Sequence, residues 1–281
     1  MQEVQDIKEI YKFGKKLGSG SFGTVYRGIY LKTRTPVAIK TINKSKLRER
    51  NNSELLQTLL REELRLASIL EHPHIVRAFG LCEDDEEYYL AFELMRNGNL
   101  AEVLRSLRDK RIPFTEYDAA HLVRQVLMAL SYLHSDTINV THRDLKLENV
   151  MVAIEKRPDG SAEMVCKVTD FGFATAMDPS GKETLALGTT AYMAPEIVRR
   201  QAYDKSVDIW ALGVMAYKML TDAFPFVGKG KQPTKQATQD AIVNNDLDLR
   251  PLRRYYQDGA LVKDFVGRCL DKNPANRWTA Q

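Results

Sequence analysis

Apolar and polar residues alternate with a period of two over residues 11–16, 24–30 and 36–42, and their β-branched and aromatic content marks these stretches as strands. Glycines and the run Thr33-Arg34-Thr35-Pro36 separate them as turns do, which predicts a three-stranded meander. Between residues 53 and 70 the period lengthens: Leu56, Leu59, Leu60, Leu64, Leu66, Ile69 and Leu70 recur at an imperfect helical spacing that His72-Pro73 ends. Two further apolar stretches, residues 75–82 and 88–95, read as strands around the acidic turn Glu83-Asp84-Asp85-Glu86. Residues 1–95 are therefore expected to form an antiparallel sheet with one main helix.

After Asn97-Gly98 the pattern turns helical. It is clearest at Ala119, Leu122, Val123, Val126, Leu127, Leu130 and Leu133, with Thr115 and Asp118 spaced as a capping box before them. Residues 207–220 are apolar on every face, through Ile209, Trp210, Leu212, Val214, Met215 and Met219, which predicts the buried axis of this half. Residues 228–235 are basic and glycine-containing and read as a solvated loop. The expected class is α+β, with a sheet-rich part over 1–95 and a mainly helical part over 96–281, and no internal repeat interrupts it.

Composition narrows the function classes. A chain of 281 residues with 44% apolar and 28% charged residues is built like a globular protein and unlike a disordered or collagen-like one. The net charge of +4, from 41 basic and 37 acidic residues, is small and spread out, so neither nucleic acid nor an anionic membrane is expected as a partner. Cys82, Cys166 and Cys269 lie far apart in apolar runs and match no disulfide framework or zinc pattern, so each reads as a small buried hydrophobe. The start Met1-Gln2-Glu3-Val4 has no signal-peptide character, Gln2 excludes a myristoylated glycine, and no apolar run approaches the ~18 residues of a membrane span. A reducing compartment is expected: cytoplasmic, with the nucleus as the alternative.

Four segments carry chemistry. Gly18-Ser19-Gly20-Ser21-Phe22-Gly23-Thr24-Val25 joins the first two strands, and glycines at its first, third and sixth places let backbone amides approach phosphate oxygens. Because Thr24-Val25-Tyr26 continues as a strand, a dinucleotide-binding turn leading into a helix is excluded. Val37-Ala38-Ile39-Lys40 puts an ammonium on the third strand, within reach of phosphates under that loop. Thr141-His142-Arg143-Asp144-Leu145-Lys146-Leu147-Glu148-Asn149 supplies a base, a cation and a carboxamide in one short loop, and Asp170-Phe171-Gly172 adds a second metal-binding carboxylate at a glycine turn.

In this order and spacing, followed by Ala194-Pro195-Glu196, Asp208-Ile209-Trp210-Ala211-Leu212-Gly213 and Arg277, the motifs resemble the eukaryotic protein kinase family over residues 11–277. Lys146 and the pair Gly188-Thr189 resemble its serine/threonine branch. Residues 11–17 and 43–47 are similar to the calcium/calmodulin-dependent and calcium-dependent protein kinase group. The resemblance implies a bilobal fold with an ATP cleft between a small sheet lobe and a larger helical lobe, and transfer of the ATP γ-phosphoryl group to a protein hydroxyl. The same fold used as a scaffold that binds ATP without transfer is the rival class, although every charged catalytic position is filled.

The roles implied are specific. Asp144 accepts or orients the hydroxyl proton, Lys146 neutralises the transferring group, and Asn149 and Asp170 hold Mg²⁺, with Mn²⁺ as a substitute. Lys40 grips the α/β-phosphates and is steered by Glu63, with the adjacent Glu62 as the alternative about 100° away on the helix. Leu17, Gly18, Ser19, Gly20, Ser21, Phe22 and Gly23 cover the nucleotide. Val25 and Ala38 lie above the adenine and Met151 below, Glu93 and Met95 pair its edge, and Phe92 is a bulky gatekeeper. Arg143 is placed to bind a phosphate added by an upstream kinase, with Thr184 favoured over Thr175 and Ser180, and Glu183 as a standing alternative charge. Thr189 is the structural threonine that contacts Asp144 and Lys146, while Glu196 and Arg277 form a buried ion pair. Phe173 goes with serine over threonine as acceptor, and Asn99, Ala191 and Lys218 stand where arginine-directed relatives carry glutamate.

Departures from the family pattern are few. Leu147 replaces a common proline, and residues 155–163, with Pro158-Asp159-Gly160, read as a surface insertion. A last helix is expected to continue past Gln281. No calcium-binding loop of the D-x-D-x-D-G type is present, so calcium dependence is not carried over.

Overall fold

The strand periods of the first hundred residues pair into one antiparallel sheet of order β1-β2-β3-β5-β4, from β1 (Tyr11–Ser19), β2 (Thr24–Tyr30), β3 (Thr35–Asn43), β4 (Ala78–Glu83) and β5 (Glu87–Glu93). The computed structural model describes residues 7–19, 23–45, 53–156, 159–160, 162–176, 187–228, 230, 233–255 and 259–281. It divides into two compact units, Met1–Arg96 and Asn97–Gln281.

In the first unit, a short helix α1 (Ile7–Ile10) precedes the sheet, and Ile7 and Tyr11 pack with Val37, Ile39 and Ala91 as a buried cluster. The expected meander is β1-β2-β3; β2 has the bounds its alternation shows, and β1 and β3 are a little longer. The strand expected over residues 75–82 begins only at Ala78. Pro73 cannot donate to a ladder, and the Ile75 N–H instead donates to His72 O at 3.1 Å, which turns the chain while Ile75 and Val76 stay buried outside the sheet. The acidic turn is built as expected of an Asp: Asp84 Oδ1 accepts the N–H groups of Glu86 and Glu87 at 2.8 and 2.7 Å. Helix α2 (Ser53–Ile69) buries Leu59, Leu60 and Leu66 but leaves Ile69 45% exposed, so the imperfect period marks a helix with one wide solvent face.

In the second unit, α3 (Leu100–Asp109) and α4 (Glu116–Leu133) both open on complete capping boxes, Asn99 with Glu102 and Thr115 with Asp118. The buried Gln125 of α4 clips a hairpin of β7 (Val150–Lys156) and β8 (Ala162–Val168): its Nε2 donates to Met164 O at 2.9 Å and its Oε1 accepts the Cys166 N–H at 2.8 Å. A two-residue pair, β6 (Val140–Thr141) with β9 (Thr175–Ala176), lies on either side of that hairpin in sequence. The catalytic-loop motif therefore runs from β6 to β7, and the Asp170 turn from β8 to β9. The insertion expected at 155–163 is smaller than the sequence implies, because Glu155 pairs with Glu163 and Lys156 with Ala162; only residues 157–161 connect the strands.

The apolar run becomes α6 (Ser206–Thr221), after the one-turn α5 (Pro195–Val198); from Val207 to Leu220 every α6 residue is buried except Lys218. Helices α7 (Lys235–Asn244) and α8 (Ala260–Cys269) follow. A Cβ on Gly213 would stand 2.6 Å from Cys269 Cβ, so the glycine sets the close approach of α8 to the axis helix. Cys166 and Cys269 are buried, with thiols pushed up to about 12 by burial, whereas Cys82 is only half-buried. No helix among the described residues is long and apolar enough to cross a membrane.

Candidate active site

Strand register sorts the first unit's candidates onto one face. Val25 pairs with Lys40, Ala38 with Phe92 and Lys40 with Leu90, and neighbours across an antiparallel ladder point the same way. Val25, Ala38, Lys40 and Phe92 therefore share a face, opposite the Val37, Ile39 and Ala91 face that packs on Tyr11. Lys40 Nζ forms an ion pair with Glu63 Oε1, and Glu63 is buried. Glu62, one helical step away, turns to Arg65 instead, accepting at 2.9 and 2.7 Å. Glu93, at the end of β5, bonds Arg77 through its own backbone N–H and through Oε1, and Met95 follows half-buried.

Leu17 is 45% exposed on β1, and Gly18 and Ser19 pair with Val25 and Thr24. A Cβ on Gly23 would lie 1.9 Å from Thr41 O, which only glycine avoids. Gly20, Ser21 and Phe22 lie outside the described residues, as do Ser180, Glu183 and Thr184.

The second unit gathers its candidates around Asp144, which is buried. Asp144 Oδ2 accepts from Lys146 Nζ at 2.5 Å and from Asn149 Nδ2 at 3.2 Å, while Oδ1 accepts both the N–H and the hydroxyl of Thr189 at 2.9 Å. Lys146 Nζ also donates to Thr189 Oγ1 at 2.9 Å. The threonine thus receives a bond from the Lys146 ammonium and gives one to the Asp144 carboxylate, which locks the two side by side. The Gly188 backbone, at φ 101°, makes this possible: a Cβ there would stand 2.6 Å from Arg143 O.

Two residues of the site hold left-handed backbone without being glycine, Arg143 at φ 66° and Asp170 at φ 64°. What holds the first is Asp208 on α6. Its Oδ1 accepts the Arg143 N–H at 3.0 Å, its Oδ2 accepts the His142 N–H at 2.9 Å, and His134 Nε2 lies 2.8 Å from Oδ2. Burial opposes the Asp208 charge most strongly, yet the hydrogen bond and charge of His134, the charge of His142 and the His142 N–H together hold its carboxyl below the usual range. His142 is itself fixed: Nε2 lies 3.0 Å from Thr169 O and Nδ1 accepts the Asp144 N–H at 3.3 Å. Its ring meets Phe171 at 5.1 Å between centroids, so the 142–144 and 169–171 segments lock together. Asp208 opens the motif Asp208-Ile209-Trp210-Ala211-Leu212-Gly213, but its neighbours in sequence imply no role for it. A carboxylate in a helix otherwise apolar on every face was the signal, since such a charge needs partners.

The donor set fits a Mg²⁺ ion. Asn149 spends Nδ2 on Asp144 O (2.9 Å) and Oδ2, which leaves Oδ1 as a hard oxygen donor, and Asp170 adds a half-buried carboxylate. Mg²⁺ usually takes one or two protein oxygens, which these two side chains would supply, and completes its shell with phosphate and water. Arg143 donates through Nε to Phe173 O. Further away, Arg277 grips Glu196 with two bonds of 2.6 and 2.8 Å and donates from Nε to Asp271 O at 2.9 Å, both side chains being buried.

Comparison with known proteins matches residues 11–281 to the protein kinase domain. The chain is 31% identical over 277 residues, 98% of its length, to a probable myosin light chain kinase of Dictyostelium discoideum. It is 32% identical over 267 residues, 95% of its length, to the Aurora kinase of Saccharomyces cerevisiae, and 34% over 275 residues, 98% of its length, to serine/threonine-protein kinase PLK4 of Xenopus laevis. It spans 65% of the length of the first two relatives and 26% of the third.

Proposed function

Since the chain belongs to the protein kinase domain family, we propose that it is a serine/threonine protein kinase that moves the γ-phosphoryl group of ATP to a protein hydroxyl with the help of Mg²⁺. The observation that carries this is the knot in which Thr189 ties Lys146 to Asp144 and Asn149 donates to the same carboxylate. A scaffold that only binds ATP has no need of a base and a cation held 2.5 Å apart.

In the proposed reaction the acceptor oxygen bonds to the γ-phosphorus as the bond to the β-bridging oxygen breaks, releasing ADP, and the hydroxyl proton passes toward Asp144. Lys146 neutralises the phosphoryl oxygens in flight. Lys40, aimed by Glu63, takes the α/β-phosphates, and the glycine loop offers them backbone N–H groups. Asn149 and Asp170 would hold the Mg²⁺, which when bound would supply charge neutralisation to the phosphates. Leu17, Val25, Ala38, Phe92, Glu93, Met95 and Met151 are the proposed surroundings of the adenine.

Finer features belong to the same proposal. Residues 11–17 and 43–47 support a place in the calcium/calmodulin-dependent and calcium-dependent group. Arg143 supports control by phosphorylation of the activation segment, at Thr184 from an upstream kinase. Phe173 supports serine as the preferred acceptor, by crowding the β-methyl of threonine. Asn99, Ala191 and Lys218, none of them acidic, support weak selection for arginine upstream of the acceptor, with only Glu148 favouring it.

The test is transfer from labelled ATP and Mg²⁺ to a generic serine peptide by the wild type and by Lys40→Met, Asp144→Asn and Asp170→Asn. Each variant is expected to lose on the order of a thousandfold or more in kcat/KM. Asp144→Asn should keep its ATP affinity. Wild-type protein that binds ATP but transfers nothing, or a variant within tenfold of wild type, overturns the proposal.

A further inference from the structure

Asn97-Gly98 is the one asparagine–glycine pair in the chain. A side-chain amide of asparagine is open to attack by the backbone nitrogen of the next residue, and glycine, with no Cβ, hinders that attack least. Whether a fold permits the reaction depends on three groups: the attacking N–H, the carbonyl attacked and the amine that leaves. All three are disposed for it here. Among the described residues no group accepts the Gly98 N–H, so it has no bond to surrender first. Asn97 Oδ1 accepts the Ile154 N–H at 3.0 Å, and a backbone donor at that distance from an oxygen on which negative charge develops acts as an oxyanion hole. Asn97 is exposed, so its amine departs into water.

The main chain on either side is tied to β7, which opposes ring closure. The Asn97 N–H donates to Val152 O at 3.2 Å, and Gly98 O accepts the Val152 N–H at 2.9 Å. The first bond is at the long end for N–H···O and is the one the ring must bend. Glycine at 98 is itself required by the start of α3: a Cβ there would run into Glu102 Oε2, the carboxylate that accepts the Asn99 N–H in the capping box. The fold thus keeps the reactive pair and supplies the donor that activates it.

We infer that Asn97 is a self-modification site, converted through a cyclic imide with Gly98 to aspartate and isoaspartate. Gly98 N bonds to Asn97 Cγ, the Cγ–Nδ2 bond breaks, and Nδ2 leaves as ammonia with the proton from the Gly98 N–H. Water then opens the imide at Cγ, giving aspartate, or at the Asn97 backbone carbonyl, giving isoaspartate. The two products differ in their effect. Aspartate keeps the main chain and still accepts the Ile154 N–H. Isoaspartate routes the chain through Cβ and Cγ, which puts the Val152 bonds and the Asn99–Met151 bridge out of register. Met151 lies in the proposed adenine site, and this consequence alone rests on the proposed function.

The experiment incubates the full chain near neutral pH, folded and in urea, and follows every asparagine by peptide mapping with isoaspartate detection. Asn97 is expected to convert ahead of all others, and at least as fast folded as in urea, where the Ile154 donor is no longer in place. Ile154→Pro removes that N–H from the edge of β7 that faces Asn97 and should slow conversion about fivefold in the folded protein. Folded protein that keeps its Asn97 amide, or converts it several times more slowly than in urea, overturns the inference whether or not the proline variant folds. For the consequence, ATP Kd is measured on aged wild type and on fresh Asn97→Asp. The aspartate variant should match fresh wild type, while aged protein should lose affinity in proportion to its isoaspartate and regain it on treatment with an isoaspartyl methyltransferase and S-adenosylmethionine. Conversion of Asn97 in a protein that never binds ATP supports the inference and sinks the proposed function; ATP binding and transfer with an inert Asn97 do the reverse.

Discussion

The Asp208 carboxylate accepts the backbone N–H of Arg143 at 3.0 Å, so a helix residue 65 positions downstream fixes the peptide unit between His142 and Arg143, one residue before Asp144. Asparagine at 208 keeps the shape but loses the charge and turns one acceptor into a donor facing a backbone N–H. Hydrogen bonds to buried charged groups contribute about 1.5–3 kcal/mol each. Asp208→Asn should therefore lower unfolding stability by roughly 3 kcal/mol, read by urea denaturation, and slow turnover more than tenfold as the left-handed Arg143 backbone relaxes.

The same group predicts a response to acid. Its folded carboxyl is held below the ordinary value of 3.8, so its stabilisation is fully present above that value and is lost as pH falls through the lower folded one. The melting temperature of wild type should fall steeply below about pH 4, and that of Asp208→Asn less so. Parallel curves for the two proteins would show that Asp208 carries no proton linkage.

Glu196 and Arg277 are joined by two short bonds out of water, and Arg277 also spans Asp271 O. Removing one partner strands the other, at a cost of about 3–5 kcal/mol. Glu196→Gln and Arg277→Met should each unfold at markedly lower urea, whereas Glu196→Leu with Arg277→Met should recover part of the loss, since neither leaves a buried charge. A double variant no better than the singles would assign the cost to packing against Trp210, which Arg277 overlies at 5.0 Å.

How far the sequence carried these conclusions depended on whether a residue's partner is local. The capping box at Thr115 and Asp118 is three residues wide, and the helix begins there. Lys40, Asp144 and Asn149 were legible because they sit in short motifs. Glu62 and Glu63 could not be separated by their neighbours alone; only the rotation of α2, which buries Leu59, Leu60 and Leu66, sends Glu63 to Lys40 and Glu62 to Arg65. The start of β4 differs from the expectation because apolar Ile75 and Val76 are buried before the ladder with β5 begins at Ala78, a tertiary effect that alternation does not record. Asp208 was missed for the same reason: its work is on backbone 65 and 66 residues away.

Gly188 stands beside the segment that carries Arg143 and Asp144. At φ 101° an L side chain is strained, and a Cβ would sit 2.6 Å from Arg143 O, a backbone atom of a residue whose N–H is tied to Asp208. Gly188→Ala should shift the 187–189 segment away and pull Thr189 from Asp144. A fall in kcat of about a hundredfold with ATP affinity unchanged is expected, and a stability loss of about 1–2 kcal/mol.

Thr189 offers the sharpest test of the knot, because its hydroxyl both accepts from Lys146 at 2.9 Å and donates to Asp144 at 2.9 Å. Valine is nearly isosteric but can do neither, so Lys146 and Asp144 would lose their common anchor while their direct contact survives. Serine keeps both bonds. Mispositioning a reacting group by about 1 Å costs on the order of a hundredfold, and Thr189→Val should lose that much kcat with KM for ATP little changed. Thr189→Ser should stay within about threefold of wild type, because only a methyl group is removed. The Thr189 N–H bond to Asp144 is present in all three proteins, so it sets the residual rate of the valine variant. If valine and serine behave alike, the backbone bond alone positions Asp144 and the hydroxyl is dispensable.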